Sequence, residues 1–140
     1  TMIGMSSTEI WMCYGCCCGV AAVDAKWKPR RESIDHIRSS LESSLAIGGM
    51  RGIPIRKTGC LGPCEKGNMA VVVKQGIDAT VFRGINTRKL GGVLAEYAME
   101  VERKGENAEV PQELNNQVYG SIAADEVPQP PSPEPYKDRH

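Results

Sequence analysis

Apolar residues along this chain recur at two different spacings, and the changes of spacing mark out its elements. Glu9-Ile-Trp-Met-Cys13 is a short apolar run that predicts a strand ending on a cysteine. From Ser33 the pattern becomes helical. Ile34, Ile37, Leu41 and Leu45 fall on one face, Ser33 suits the N-cap, and Gly48-Gly49 is a stop. Ile53-Pro-Ile-Arg-Lys-Thr58 predicts a second strand that runs directly into Cys60. Met69-Ala-Val-Val-Val73 is strongly β-branched and predicts a third; Gln75-Gly76 turns it, and Ala79-Thr-Val-Phe-Arg83 returns as its hairpin partner. Asn86 or Thr87 caps a second helix whose stripe is Leu90, Val93, Leu94, Tyr97 and Val101, with Gly105 at its end. The order β-α-β-β-α, one crossover and one hairpin, predicts an α/β (α+β) fold: a small mixed sheet with helices packed against it.

Composition sharpens this. The 140 residues suit one domain, and 41% hydrophobic content is enough for a core, but one Phe, two Trp and four Tyr leave the packing to aliphatic side chains. The formal net charge of zero hides a division. Residues 1–105 carry 15 Lys+Arg against 10 Asp+Glu, whereas residues 106–140 carry 2 against 7, with six of the nine prolines. Pro128-Gln-Pro-Pro-Ser-Pro-Glu-Pro135 fits neither a helix nor a central strand. The expectation is a mildly basic globular domain over 1–105 and a disordered acidic, proline-rich tail over 106–140. No internal repeat is present.

Six cysteines lie in two knots, Cys13-Tyr-Gly-Cys16-Cys17-Cys18 and Cys60-Leu-Gly-Pro-Cys64. Two distant cysteine groups are how a chain assembles a four-thiolate site, for zinc or for an iron–sulfur cluster. Taken outermost to outermost the spacing is C-x4-C and C-x3-C, wider than the usual zinc knuckle, and it favours a [2Fe–2S] cluster. If the two strands that lead into the knots are parallel neighbours joined by the first helix, their C-terminal ends lie side by side and the knots meet. Adjacent thiols of this kind read as metal ligands in a reducing compartment, so a cytoplasmic location is expected. Thr1-Met-Ile-Gly-Met-Ser6 has neither the basic nor the apolar region of a secretory signal, and no run approaches the roughly 18–20 apolar residues of a membrane span.

Cys13-x4-Cys18 with Gly19, the Gly59-Cys-Leu-Gly-Pro-Cys64 loop and the strand at Met69–Val73 together resemble the thioredoxin-like [2Fe–2S] ferredoxins, a domain also found in the 24-kDa subunit of complex I. The resemblance covers roughly residues 8–104. It implies the thioredoxin-like βαββα fold, one [2Fe–2S] cluster as cofactor and metal site, and Cys13, Cys18, Cys60 and Cys64 as its ligands. Among Cys16, Cys17 and Cys18 the second ligand stays open. It further implies a one-electron carrier or electron-transfer subunit, not an independent enzyme, and homodimerisation.

Other readings rest on the same residues. A zinc site could staple a non-redox interaction module. Cys13-x-x-Cys16 after a strand, with Arg51-Gly-Ile-Pro54 placed like the cis-proline segment of thioredoxins, could serve thiol–disulfide exchange, though this leaves Cys60 and Cys64 unexplained. Gly59, Gly62 and Gly67 would let backbone N–H groups approach cluster sulfurs, and Leu61 and Pro63 would form an apolar lid. Lys26, Lys28, Arg30, Arg31, Arg51, Arg56, Lys57 and Lys66 suggest a basic rim that steers a redox partner with an acidic docking surface. Nucleic acid does not fit a chain whose formal net charge is zero. Trp11 and Met12 read as core. His36 and His140 have no partners that suggest ligation, and no catalytic triad, phosphate loop or carboxylate pair is present.

Overall fold

The computed structural model describes residues 8–13, 22–23, 29–31, 34–58 and 68–127. Strand β1 (Thr8–Cys13) is followed by two short strands, β2 (Ala22–Val23) and β3 (Pro29–Arg31), then helix α1 (Ile34–Ile47) and strand β4 (Ile55–Thr58). Strands β5 (Ala70–Lys74) and β6 (Ala79–Phe82), helix α2 (Arg88–Lys104) and strand β7 (Val118–Ile122) complete the order. Five strands form one sheet in the order β4-β1-β5-β6-β7. The β1–β4 pair is parallel, as the crossover through α1 requires, and the other pairs are antiparallel.

Both helices cover the same face of this sheet. Ile10, Met12, Val72 and Phe82 point into a core shared with Ile37, Leu41 and Leu45 of α1 and with Leu94, Ala98 and Val101 of α2. The opposite face buries Trp11, Met69, Val71, Val73, Ala79 and Val81, with Ile122 and Val127 packed against them. Burial on both faces explains why β5 reads as an unbroken apolar run instead of alternating.

The helix ends follow the sequence signals. The Oγ1 of Thr87 accepts the Leu90 N–H at 3.1 Å, and the Gly105 N–H donates to the Val101 carbonyl at the far end of α2. At the end of α1, Met50 N–H donates to Leu45 and Gly49 N–H to Ala46, with Gly49 at φ 75, the left-handed closure that favours glycine. The helices approach closely: a Cβ added at Gly91 would lie 3.0 Å from Ile37 Cγ2 and 3.1 Å from the Ile37 carbonyl oxygen. The Ser40 hydroxyl also donates to the Arg88 carbonyl across this contact, at 2.6 Å.

The chain departs from expectation in two places. A two-stranded ribbon, β2 paired antiparallel with β3, stands between β1 and α1, where no strand was predicted. More consequentially, folded structure does not stop at Gly105. Leu114 is fully buried in the helix-side core, Gln117 accepts the Arg83 N–H at 2.7 Å, and β7 pairs with β6 along its length. Asp78 then accepts the Ala124 N–H at 3.0 Å. Composition misled here because Glu113, Asp125 and Glu126 are exposed and Pro111 precedes a 3-10 turn, so neither charge nor proline opposes packing. The run Pro128–Pro135 lies outside the described residues.

Candidate metal centre

The candidate centre begins at the C-terminal ends of two parallel strands. In the β1–β4 ladder Ile10 pairs with Ile55, Trp11 with Arg56, Met12 with Lys57 and Cys13 with Thr58. Cys13 therefore ends its strand beside the residue that stands two positions before Cys60. On the other side of β1, Met12 pairs with Ala70 of β5. The segment 59–67, which carries Cys60 and Cys64, is thus held at Thr58 and at Asn68 by strands that flank β1. This is the side-by-side arrangement expected from the element order.

Of the predicted ligands, Cys13 is placed, as the last residue of β1. Cys18, Cys60 and Cys64 lie outside the described residues, as do Cys16, Cys17, the loop glycines and the Leu61–Pro63 lid. Among the described residues no group of three or more His, Cys, Asp and Glu side chains is placed to hold a metal. Trp11 and Met12 are buried as core on opposite faces, and His36 is exposed on α1.

Two features that the sequence did not announce fix the strand ends. Asn68, fully buried, donates from Nδ2 to the Ile85 carbonyl at 3.0 Å and accepts the Ile85 N–H at its own carbonyl. Its N–H donates to Asn86 Oδ1, also at 3.0 Å. The return of the cysteine segment into β5 is pinned by these bonds. On β1, the Glu9 carboxylate accepts the Trp11 indole N–H at 2.7 Å and Arg56 Nε at 2.8 Å on Oε1, and a second Arg56 nitrogen at 3.2 Å on Oε2. The i, i+2 spacing of Glu9 and Trp11 is visible in the sequence, but their common partner needs the strand register.

The expected basic rim is divided. Arg51 precedes β4 and so sits at the opposite end of that strand from Thr58. There it lines a cleft of about 640 Å3 with Arg38, Glu42, Ile53 and Arg56, between α1 and the outer strand β4. Arg56 is committed to Glu9, and Lys57 is exposed next to Thr58. Arg30 and Arg31 belong to β3, while Lys26, Lys28 and Lys66 lie outside the described residues. Among the described residues no peptide bond is cis, that before Pro54 included, so this segment lacks the cis-proline feature on which the thiol-exchange reading drew.

No family model, no curated protein and no solved structure matches this chain. No helix among the described residues is long and apolar enough to cross a membrane.

Proposed function

We propose that this chain is a one-electron carrier, or an electron-transfer subunit, that holds one [2Fe–2S] cluster on Cys13, Cys18, Cys60 and Cys64 within a thioredoxin-like fold. The observation that carries the proposal is the ladder register that sets Cys13 against Thr58, with Cys60 two residues further on. The sheet order β4-β1-β5-β6, with its single parallel pair joined through α1 and with α2 following β6, supports the fold part of the reading.

The fit can be judged from the strand ends. A four-thiolate site built from two distant cysteine groups needs both groups to start from neighbouring backbone, and β1 and β4 supply that start. Once bound, the cluster supplies a single-electron acceptor and donor. The protein's part is to hold the thiolates in place and to limit water beneath them; Met12, Met69 and Trp11, all buried near the end of β1, serve the second purpose. The redox partner would present an acidic surface toward the basic residues near Thr58, among them Lys57.

Anaerobically prepared protein should contain about two irons per chain, one cluster's worth, with matching sulfide and a visible spectrum that dithionite bleaches reversibly. Cys60→Ser and Cys64→Ser should each abolish this spectrum, while Cys16→Ser or Cys17→Ser should leave it in place. A colourless protein with bound zinc, or iron near four per chain, would refute the proposal.

A further inference from the structure

A polar side-chain cluster joins β1 to β4 alongside their backbone ladder. Among the described residues four pairs form this ladder, and β4 itself offers one buried apolar side chain, Ile55; Arg56 is half-buried and Lys57 exposed. A strand with so small an apolar set can slip, and a slip of one residue exchanges its two faces. Slipping by two residues would move Thr58 about 6.6 Å along Cys13's strand at about 3.3 Å per residue. That is far more than a metal–thiolate bond of about 2.3 Å tolerates.

Glu9, Trp11 and Arg56 oppose such a slip. Glu9 and Trp11 occupy alternate positions of β1, hence one face, and Arg56 stands directly opposite Trp11. The guanidinium grips the carboxylate side-on through two nitrogens, and the indole N–H shares Oε1. Glu9 and Arg56 are only 18% and 20% exposed, so water competes little with the pair. A two-point fork is directional in a way a lysine contact is not, and here it joins β1 to β4 in the observed register.

We propose that the Glu9–Arg56–Trp11 cluster is a register lock: it determines which residue of β4 stands beside Cys13, and through that where the two cysteine segments begin. Glu9 and Arg56 are positioning residues, since they act through the strands and touch no ligand directly. The consequence for a metal centre rests on the proposed function; the lock itself does not, and its test separates the two.

In the first arm the full chain carries serine at Cys16, Cys17, Cys18, Cys60 and Cys64 together with Thr58→Cys, leaving Cys13 and one introduced thiol on paired positions. Neighbouring strands lie about 4.8 Å apart, within the roughly 4.4–6.8 Å between the Cα atoms of a disulfide, so oxidised glutathione should close the bridge readily. Glu9→Gln, Arg56→Met and the double Glu9→Met/Arg56→Met should each slow closure about tenfold, the scale of a charge-assisted contact. Arg56→Lys, which keeps the charge but not the fork, should fall between. The double variant strands no half-buried charge and should retain the parent's far-ultraviolet circular dichroism, so it decides the matter even where a single variant fails to fold. In the second arm, with native cysteines, the same variants should release iron to a chelator about tenfold faster than the parent. Equal closure rates in the parent and the double variant overturn the lock, as does a parent that does not close at all. A native chain that takes up no iron overturns the proposed function instead, and the first arm still decides the lock.

Discussion

Leu114→Ala tests whether the chain beyond Gly105 is part of the folded unit. Leu114 is fully buried on a 3-10 turn that follows α2, and it belongs to the same core as Leu41, Phe82 and Leu94. Truncating a leucine in such a place removes its transfer free energy and leaves a cavity that backbone from three elements cannot easily collapse, a loss of about 3 kcal/mol within the usual range of 2–5. Against a total stability of about 5–15 kcal/mol this is a large share. At roughly 4 °C per kcal/mol for a unit of this size, the melting temperature should fall by about 12 °C. Urea titration followed by circular dichroism on metal-free protein is the appropriate assay, because bound metal would add its own stabilisation. Val118→Ala, at a side chain 38% exposed on β7, is the matched control and should cost less than about 1 kcal/mol. A Leu114→Ala loss below about 0.5 kcal/mol would refute the reasoning and return the boundary to Gly105.

Two further perturbations probe the contacts that hold the scaffold. Gly91→Ala should destabilise the protein by about 1–3 kcal/mol, because the new methyl would meet the Ile37 carbonyl, which the helix cannot move aside; thermal melting checks it, and an unchanged melt would show that the helices can part. Asn68→Ala removes a buried donor to the Ile85 carbonyl and should cost about 1–3 kcal/mol; protease accessibility of segment 59–67 should rise with it, and protection equal to that of the parent would refute the anchoring role.

The elements that the sequence made legible are those whose signals are local. Thr87 and Gly105 mark the limits of α2, Gly49 closes α1, and the valines of β5 need no partner to be read as a strand. The parallel pairing of β1 with β4, the condition under which the two cysteine knots meet, is present in the sheet. What could not be read depends on distant partners. Val118-Tyr-Gly-Ser-Ile122 has weak alternation and a glycine at its centre, and it becomes a strand because β6 offers it an open edge. Glu9 and Arg56 are 47 residues apart, and nothing local distinguishes Arg56 from neighbouring Lys57. The cysteine knots declare their chemistry through spacing, yet only Cys13 lies among the described residues, so the ligand set rests on the pattern and on the strand ends that lead into it.

The position of β7 bears on how this protein behaves when it is stressed. The outer strands of the sheet are β4 and β7, and they are guarded unequally. Strand β4 carries Arg56 and exposed Lys57, charges of the kind that discourage another chain from adding to an edge. Strand β7 has no charge, and Val118 and Tyr119 are exposed on it. Were β7 to peel away, the new edge would be Ala79-Thr-Val-Phe82, backed by the valines of β5, an uncharged, β-prone and proline-free ribbon. Partial unfolding at this end would therefore expose an aggregation-prone template while the rest of the sheet remained intact. Aggregation on heating or after proteolytic nicking should begin from detachment of 118–127, with Leu114 still seated in the helix-side core.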